Sequence, residues 1–355
     1  MVGPMHKRSA SIKDVALHSG TSIATVSNVL NNRGNVSEEL KSRVLKSAEE
    51  LRYSANPIAR SMRNRKTNTV SVVVSDINCI FFAPVLKGIQ KVLSAADYNI
   101  MFYDSNYDPE LEHKYITAIR NSWADGLILA GLTNSQNREY YRKIVSSGPD
   151  FFPAVSMESD LTAYGLDSVL IDGRRAAATA TSHLLELDCK RIAHIKAPVI
   201  TGAANERFLG YQDALAAAGL QVDPGLVQAG DFSAISGYNV IHEMLRTGVK
   251  FDGVFAANDQ MAVGAVRALQ DAGISIPGNV KVVGFDNTFI ASIVQPALTT
   301  ISVPGYKMGV TAARQLLDRI ENRATEPVSI HLDYELIIRR STMSSARTNW
   351  DMVYW

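Results

Sequence analysis

From Val70 onward the chain carries the pattern that most limits its fold: short apolar runs separated by helical stretches. The runs include VSVVV (70–74), NIMFY (99–103), GLILAG (126–131), FPAVSM (152–157), SVLID (168–172), RIAHI (191–195), GVFAAN (253–258) and VKVVGF (280–285). Between them lie amphipathic or alanine-rich segments such as APVLKGIQKVLSAA (83–96) and ERFLGYQDALAAAG (206–219). Strands alternating with helices predict parallel sheets in doubly wound α/β layers. A chain of 355 residues is too long for one core, so the body should form two such subdomains.

The body holds no G-x-G-x-x-G, no P-loop, no H-E-x-x-H, no clustered Cys/His spacing and no G-x-S-x-G elbow. No cofactor, no metal and no enzyme chemistry is therefore expected. The two cysteines, Cys79 and Cys189, cannot form a disulfide framework and suit a reducing cytoplasm. No apolar run approaches the roughly 18 residues that span a bilayer, and MVGPMHKRSA lacks the apolar core of a signal peptide. Residues 1–10 read as a disordered leader, and no membrane partner is expected.

Charge divides the chain. Residues 1–66 hold twelve Lys/Arg and five acids, a balance of +7; the remaining 24 bases and 30 acids give −6. A basic head on an acidic body predicts polyanion binding by the head. Within it, Ser11-Ile12-Lys13-Asp14 is a capping signature ahead of Val15, Ala16 and Leu17, and Gly20 stops that helix. Ser22 caps a second helix with the stripe Val26, Val29 and Leu30. Ser37 caps a third, with Glu38 and Glu39 in its first turn and Leu40, Val44, Leu45, Ala48 and Leu51 as its buried face. Three short helices with a Gly-containing first turn make a helix-turn-helix module. Winding the second helix at about 100° per residue sets Ala24, Ser27, Asn28 and Asn31 opposite the apolar stripe. Ile23 lies at the border, readable as core or as a contact to a thymine methyl.

IKDVALHSGTSIATVSNVLNN followed by VSEELKSRVLKSAEELRYSANPIARSMR closely resembles the headpiece and hinge of the LacI/GalR family of bacterial transcriptional regulators. The resemblance implies base reading by Ile23, Ala24 and Asn28, and phosphate contacts from Ser22, Thr25, Ser27 and Asn31. Asn28 stands where the family often has Arg, and Asn favours adenine where Arg favours guanine. NPIARSMRNRK looks like the family's hinge helix, with Ala59, Arg60 and Met62 entering the minor groove; a plain basic linker is the other reading.

The resemblance continues through SDINCIFFAPVLKGI, SVLIDGRRAAATATSHLLELDCKRIAHI, ERFLGYQDALAAAGL, GVFAANDQMAVGAVRALQDAGISIPGNVKVVGFDNT and PALTTISVPGYKMGV. It implies a fold class of a small all-α helix-turn-helix domain followed by an α/β two-lobed, periplasmic-binding-protein-like core of two doubly wound parallel sheets. By family order the headpiece is 11–57, the hinge and linker 58–68, and the effector-binding core 69–342. The N-lobe takes about 69–171 and 302–324, and the C-lobe about 172–301 and 325–342. Asp76, Phe81, Phe82, Ser105, Glu158, Arg207, Asn258 and Asp286 match effector-cleft positions. Phe81 and Phe82 could equally be core, Arg207 a structural ion pair, and Asp259 a helix cap.

Four departures are visible. The family's usual Asn-Pro before the Phe pair is Cys79-Ile80, its usual Asp is Glu158, a frequent Gln is Val303, and Asp-Asn-x-x-Gly-Gly reads DGRRAA. The expected function is a ligand-responsive, sequence-specific regulator, a repressor in its simplest form, on a palindromic operator in double-stranded DNA. Its expected partners are a small-molecule effector (sugar, sugar phosphate, nucleoside or similar) and a second copy in a homodimer or tetramer. A solute-binding module or a lobed sugar enzyme with a vestigial head is the alternative. The aromatic tail 343–355 could extend freely, join a tetramer or pack on its own lobe.

Overall fold

The computed structural model describes residues 10–30, 34, 36–53, 66–121, 124–131, 137–144, 151–198, 202–321 and 326–347. Asn31, the hinge residues Ala59, Arg60 and Met62, and Trp350, Tyr354 and Trp355 of the tail lie outside them. The chain divides into two compact units, Met1–Thr67 and Asn68–Trp355.

The head forms three helices, α1 (Ile12–Ser19), α2 (Ile23–Leu30) and α3 (Glu38–Glu50). Ser11 and Asp14 make the expected reciprocal capping box, and Gly20 closes α1 with a left-handed φ of 63°. Ser22 Oγ accepts from the Thr25 amide at 3.0 Å, satisfying one of the orphan donors at the start of α2. Ser37 sits at the start of α3 but makes no side-chain cap bond. Val15, Ala16, Val26, Val29, Val44 and Ala48 form the buried centre. Leu17 and Leu45, expected inside, are 85% and 45% exposed, because their flanks of α1 and α3 turn away from this small core.

In the second unit every apolar run named above is a strand. The first sheet, ordered β11-β5-β4-β3-β1-β2, is parallel throughout. Its strands are β1 (Thr69–Val74), β2 (Asn99–Asp104), β3 (Gly126–Ala130), β4 (Ala154–Met157), β5 (Asp167–Leu170) and β11 (Ser329–His331). The second, ordered β12-β10-β9-β8-β6-β7, is parallel except where β12 runs antiparallel to β10. It comprises β6 (Ile192–Lys196), β7 (Val227–Ala229), β8 (Gly253–Ala256), β9 (Lys281–Asp286), β10 (Thr299–Ser302) and β12 (Glu335–Ile337).

Helices α4 (Phe82–Ala95), α5 (Pro109–Asn121), α6 (Arg138–Ile144) and α12 (Gly305–Glu321) belong to the first lobe. Helices α7 (Gly173–Glu186), α8 (Gly202–Ala217), α9 (Ala234–Arg246), α10 (Asp259–Asp271) and α11 (Phe289–Ile293) belong to the second. The chain thus crosses between lobes near 171, 303 and 333. One boundary differs from expectation: Ser329–His331, within the stretch 325–342 assigned to the C-lobe, pairs with β5 of the first sheet. The last crossover follows β11, because β11 completes the hydrogen bonding along the open edge of β5 before the chain leaves.

Close packing fixes the helix pairs. At Gly309 on α12 an added Cβ would lie 2.1 Å from the Val85 carbonyl oxygen of α4, so only glycine lets the two backbones approach. Asp167 of β5 is fully buried and paired to Arg319 of α12 through two 2.6 Å hydrogen bonds. The same carboxylate accepts from the Val328 amide at 2.7 Å, holding the start of β11 in place. In the second lobe, His194 of β6 is buried between the rings of Tyr211 and Phe255, with centroids 4.8 and 4.9 Å away. Its Nδ1 lies 2.9 Å from the Phe255 carbonyl and must donate to it, leaving Nε2 without a hydrogen bond. Burial pushes His194 down to about 4.

Candidate functional site: a paired-carboxylate cleft and a helix-turn-helix face

In open α/β sheets ligands bind at the carboxyl ends of strands, and both lobes bring those ends to one cleft. A cavity of about 20 Å³ remains between them, room for roughly one water. The first lobe lines it with Ser75 after β1, Cys79, Phe81 and Phe82 before and within α4, Tyr107 after β2, and Glu158 after β4. Arg207 of α8, Phe232 after β7, Asn258 after β8 and Asp286 ending β9 line it from the second lobe.

Arg207 is the hub. Its Nη1 donates to the Ala257 carbonyl at 2.5 Å, and its guanidinium carbon stands 4.1 Å over the Phe285 ring. Its Nη2 reaches Glu158 Oε1 at 3.5 Å and Asp286 Oδ1 at 3.6 Å, so it links the lobes as well as facing the cavity. Those separations are ion-pair distances rather than well-formed hydrogen bonds. Asp286 Oδ1 is buried with no hydrogen-bond partner. Burial holds the Asp286 carboxyl well above the usual range against the opposing pull of Arg207, and lifts Glu158 in the same way. Both acids adopt positive φ, 65° at Glu158 and 105° at Asp286. Such backbone strain in non-glycine residues costs on the order of 1–3 kcal/mol each and clusters where ligands are held.

The other matched positions divide. Asn258 lines the cavity but is committed locally: its Oδ1 accepts from the Met261 amide and caps α10, and its Nδ2 donates to the Phe232 carbonyl at 2.9 Å. Asp259 is structural. It accepts from the Thr288 amide, the Thr288 hydroxyl and the Thr300 hydroxyl at 2.6–2.9 Å, and burial raises it to about 6. Phe81 and Phe82 serve both readings, packing edge to face in the core while bordering the cavity. Asp76 is half-buried, accepts from Asn78 and does not line the cavity. Ser105 is turned inward, donating to the Val74 carbonyl at 3.0 Å beside a separate pocket that contains Glu112.

Tyr107 and Phe232 were not singled out in the sequence. Their rings stack across the lobes at 5.5 Å. Each follows a strand end by three residues, and that placement was the signal available. Cys79 lies against the acids; burial and then Asp286 push its thiol up, so it stays protonated. Next to it, the Ile80 amide donates to Gln260 Oε1 on α10 at 3.1 Å, a bond between lobes that proline could not make.

On the head, Val26 and Val29 of α2 are buried, while Ser22, Ile23, Ala24 and Asn28 are exposed and Thr25 and Ser27 are intermediate. Ile23 is therefore on the outer face, 44% exposed, rather than in the core. Ser22 and Thr25 hydroxyls lie 2.9 Å apart. Among the described residues no helix is long and apolar enough to cross a membrane.

A helix-turn-helix head on a two-lobed binding core defines a class of ligand-responsive gene regulators, and known proteins share both parts. Residues 11–56 match the profile of bacterial regulatory proteins of the lacI family, and residues 181–342 that of a periplasmic binding protein-like domain. The chain is 35% identical to the HTH-type transcriptional regulator RegA of Clostridium saccharobutylicum, over 94% of this chain and 99% of that one. It is 30% identical to the ribose operon repressor of Halalkalibacterium halodurans, over 94% and 97% of the two chains. A solved complex of the transcriptional regulator CelR with cellobiose superposes with a TM-score of 0.68 at 31% identity, covering 94% of this chain and 99% of that one. The protein belongs to the lacI family of bacterial transcriptional regulators.

Proposed function

We propose that the protein is an operator-binding repressor whose grip on DNA is set by a small molecule in the cleft. The observation that carries the first half is the outer face of α2, where Ile23, Ala24 and Asn28 stand exposed beside a buried Val26–Val29 stripe. In the major groove Asn28 would read adenine through its N6/N7 edge, Ile23 and Ala24 would meet thymine methyls, and Ser22, Thr25 and Ser27 would reach phosphates. The uncharged face gives sequence preference, and the surrounding Lys and Arg supply affinity. Two heads on a homodimer would read the two halves of a palindrome. For the second half, Arg207, Glu158 and Asp286 draw side chains from both lobes to one point, so a ligand there favours one arrangement of the lobes over another. Whatever the ligand does to DNA affinity, DNA must do equally to ligand affinity.

Fluorescence anisotropy of the full chain on palindromes from its own promoter region tests this. Affinity should fall by orders of magnitude between about 50 and 200 mM salt. A chain beginning at residue 67 should lose DNA and keep ligand. A salt-insensitive complex, or none with any such palindrome, would sink the reading.

A further inference from the structure

We propose that Glu158 and Asp286 share one proton while the lobes of the core are together and release it when the lobes part. Acidity then favours the closed core and alkalinity the open one, with or without a ligand. This goes beyond the repressor reading and stands independently of it.

Charge does not balance where the lobes meet. Glu158 comes from the first lobe and Asp286 from the second, and both stand within 3.6 Å of one nitrogen, Arg207 Nη2. The side chains of Glu158, Asp286 and Arg207 are only 11%, 6% and 8% exposed, and the cavity beside them has room for roughly one water. Two ionised carboxyls against one guanidinium would leave a buried negative charge uncompensated. Such a charge is costly, and a group so placed takes up a proton instead. The hydrogen bonding agrees. Asp167, also buried, meets four donors: Arg319 Nε and Nη2, Gln315 Nε2 and the Val328 amide. Asp259 meets three. Asp286 Oδ1 meets none, and at 3.5 and 3.6 Å Arg207 offers the two acids attraction without well-formed hydrogen bonds.

Among the described residues the surroundings add no second counter-charge. From the first lobe the Cys79 thiol and the Tyr107 phenol face the acids, both pushed up chiefly by burial and therefore neutral, with Asp76 acting on Tyr107. From the second lobe Asp259 acts on Asp286 and, after burial, lifts it further, as Glu158 does. Arg207 is the one group that draws both acids down. Because the acids sit on opposite lobes, separation relieves their repulsion and admits water to each, and both then ionise. The proton comes from solvent as the lobes meet and returns there as they part; it belongs to the pair rather than to either residue. Both acids are raised while together, so closure is favoured at low pH and lost as pH rises through the raised values.

Infrared spectroscopy and hydrogen exchange on the full chain, without ligand, test this. Near neutral pH the spectrum should contain the carbonyl band of a protonated carboxyl. That band should vanish in Glu158→Gln and equally in Asp286→Asn, because either change leaves one acid ionised against Arg207. Glu112, also raised by burial, cancels in the difference spectra. A proton held on Asp286 by burial alone would survive in Glu158→Gln and overturn the sharing. For closure the reporter is the Ile80 amide, which donates across the lobes to Gln260 Oε1. Its protection from exchange, corrected for the intrinsic rate, should rise by as much as about tenfold for each unit of falling pH, the limit for one linked proton. Both variants should flatten that slope, whereas a purely structural role for the acids would lower protection at every pH and leave the slope as it was. Circular dichroism checks that each variant folds, and either one alone suffices. Protection that does not vary with pH in the unaltered chain, or a spectrum unchanged in both variants, overturns the inference. An operator affinity indifferent to pH beside a sloping protection would leave the shared proton in place and count against the link between cleft and DNA.

Discussion

At the scale of single residues, the buried acids and His194 pull the pH dependence of stability in opposite directions. Asp259 titrates at about 6 in the folded chain against about 3.9 when unfolded. Its contribution is complete below the unfolded value and is lost as pH rises through about 6; Glu112, Glu158 and Asp286, all raised chiefly by burial, act in the same sense. His194 titrates at about 4 in the folded chain against about 6.5 unfolded. It penalises the fold at low pH, and that penalty disappears as pH rises from about 4 to about 6.5. The Asp259 and His194 displacements are each worth on the order of 3 kcal/mol and nearly cancel. The thermal midpoint should therefore decline from pH 4 to 6.5 through the remaining buried acids, Glu112, Glu158 and Asp286. His194→Phe should steepen the decline and Asp259→Asn should flatten it. Scanning calorimetry across that window checks both signs, and an unchanged slope in either variant refutes the assignment to these groups.

At the scale of elements, the tightest constraint is the crossing of α4 and α12. Gly309→Ala puts a methyl against the Val85 carbonyl, and the helices must part to accommodate it. A loss of about 1–3 kcal/mol is expected, read as a lower urea midpoint; an unaltered midpoint would show the crossing to be looser than drawn. Much at this scale was legible in the sequence. The runs at 70–74, 126–131 and 253–258 are buried on both faces, so they declare themselves by apolar content alone. The three-residue edge strands β7, β11 and β12 are half exposed and too short for any period to register. Nothing in that stretch could therefore correct the family order, which put the last crossover before β11 rather than after it. In the cleft, Arg207, Glu158 and Asp286 were found by their order along a family pattern. Tyr107 and Phe232 sit in loops, where no periodicity marks a side chain. Ser105 and Asp76 occupy the expected stretch, but one side chain turns into the sheet and the other closes on Asn78. Position along a chain does not fix where a side chain points.

At the scale of the whole molecule, the lobes of the core meet through the Ile80–Gln260 bond, the Tyr107–Phe232 stack and the Arg207 pairs. Gln260→Ala and Ile80→Pro each remove the first of these without touching the cavity acids. A neutral hydrogen bond is worth about 0.5–1.5 kcal/mol, so roughly a three- to tenfold weaker ligand affinity is expected from either. The double variant should lose no more than each alone, because both delete one interaction. Small-angle scattering of the core should show a slightly larger radius for both; additive losses would mean the bond is not what they share. The first lobe, finally, is written in two pieces, and the second of them, which carries α12 and β11, comes after nearly all of the other lobe. On a ribosome adding about 5–20 residues per second, the head emerges and can fold some 13–50 s before β11 reaches β5. A message broken after the head would thus yield a DNA reader with no receptor attached, whereas one broken near residue 300 would strand a core with neither lobe complete. Control over the operator is the last thing synthesis delivers.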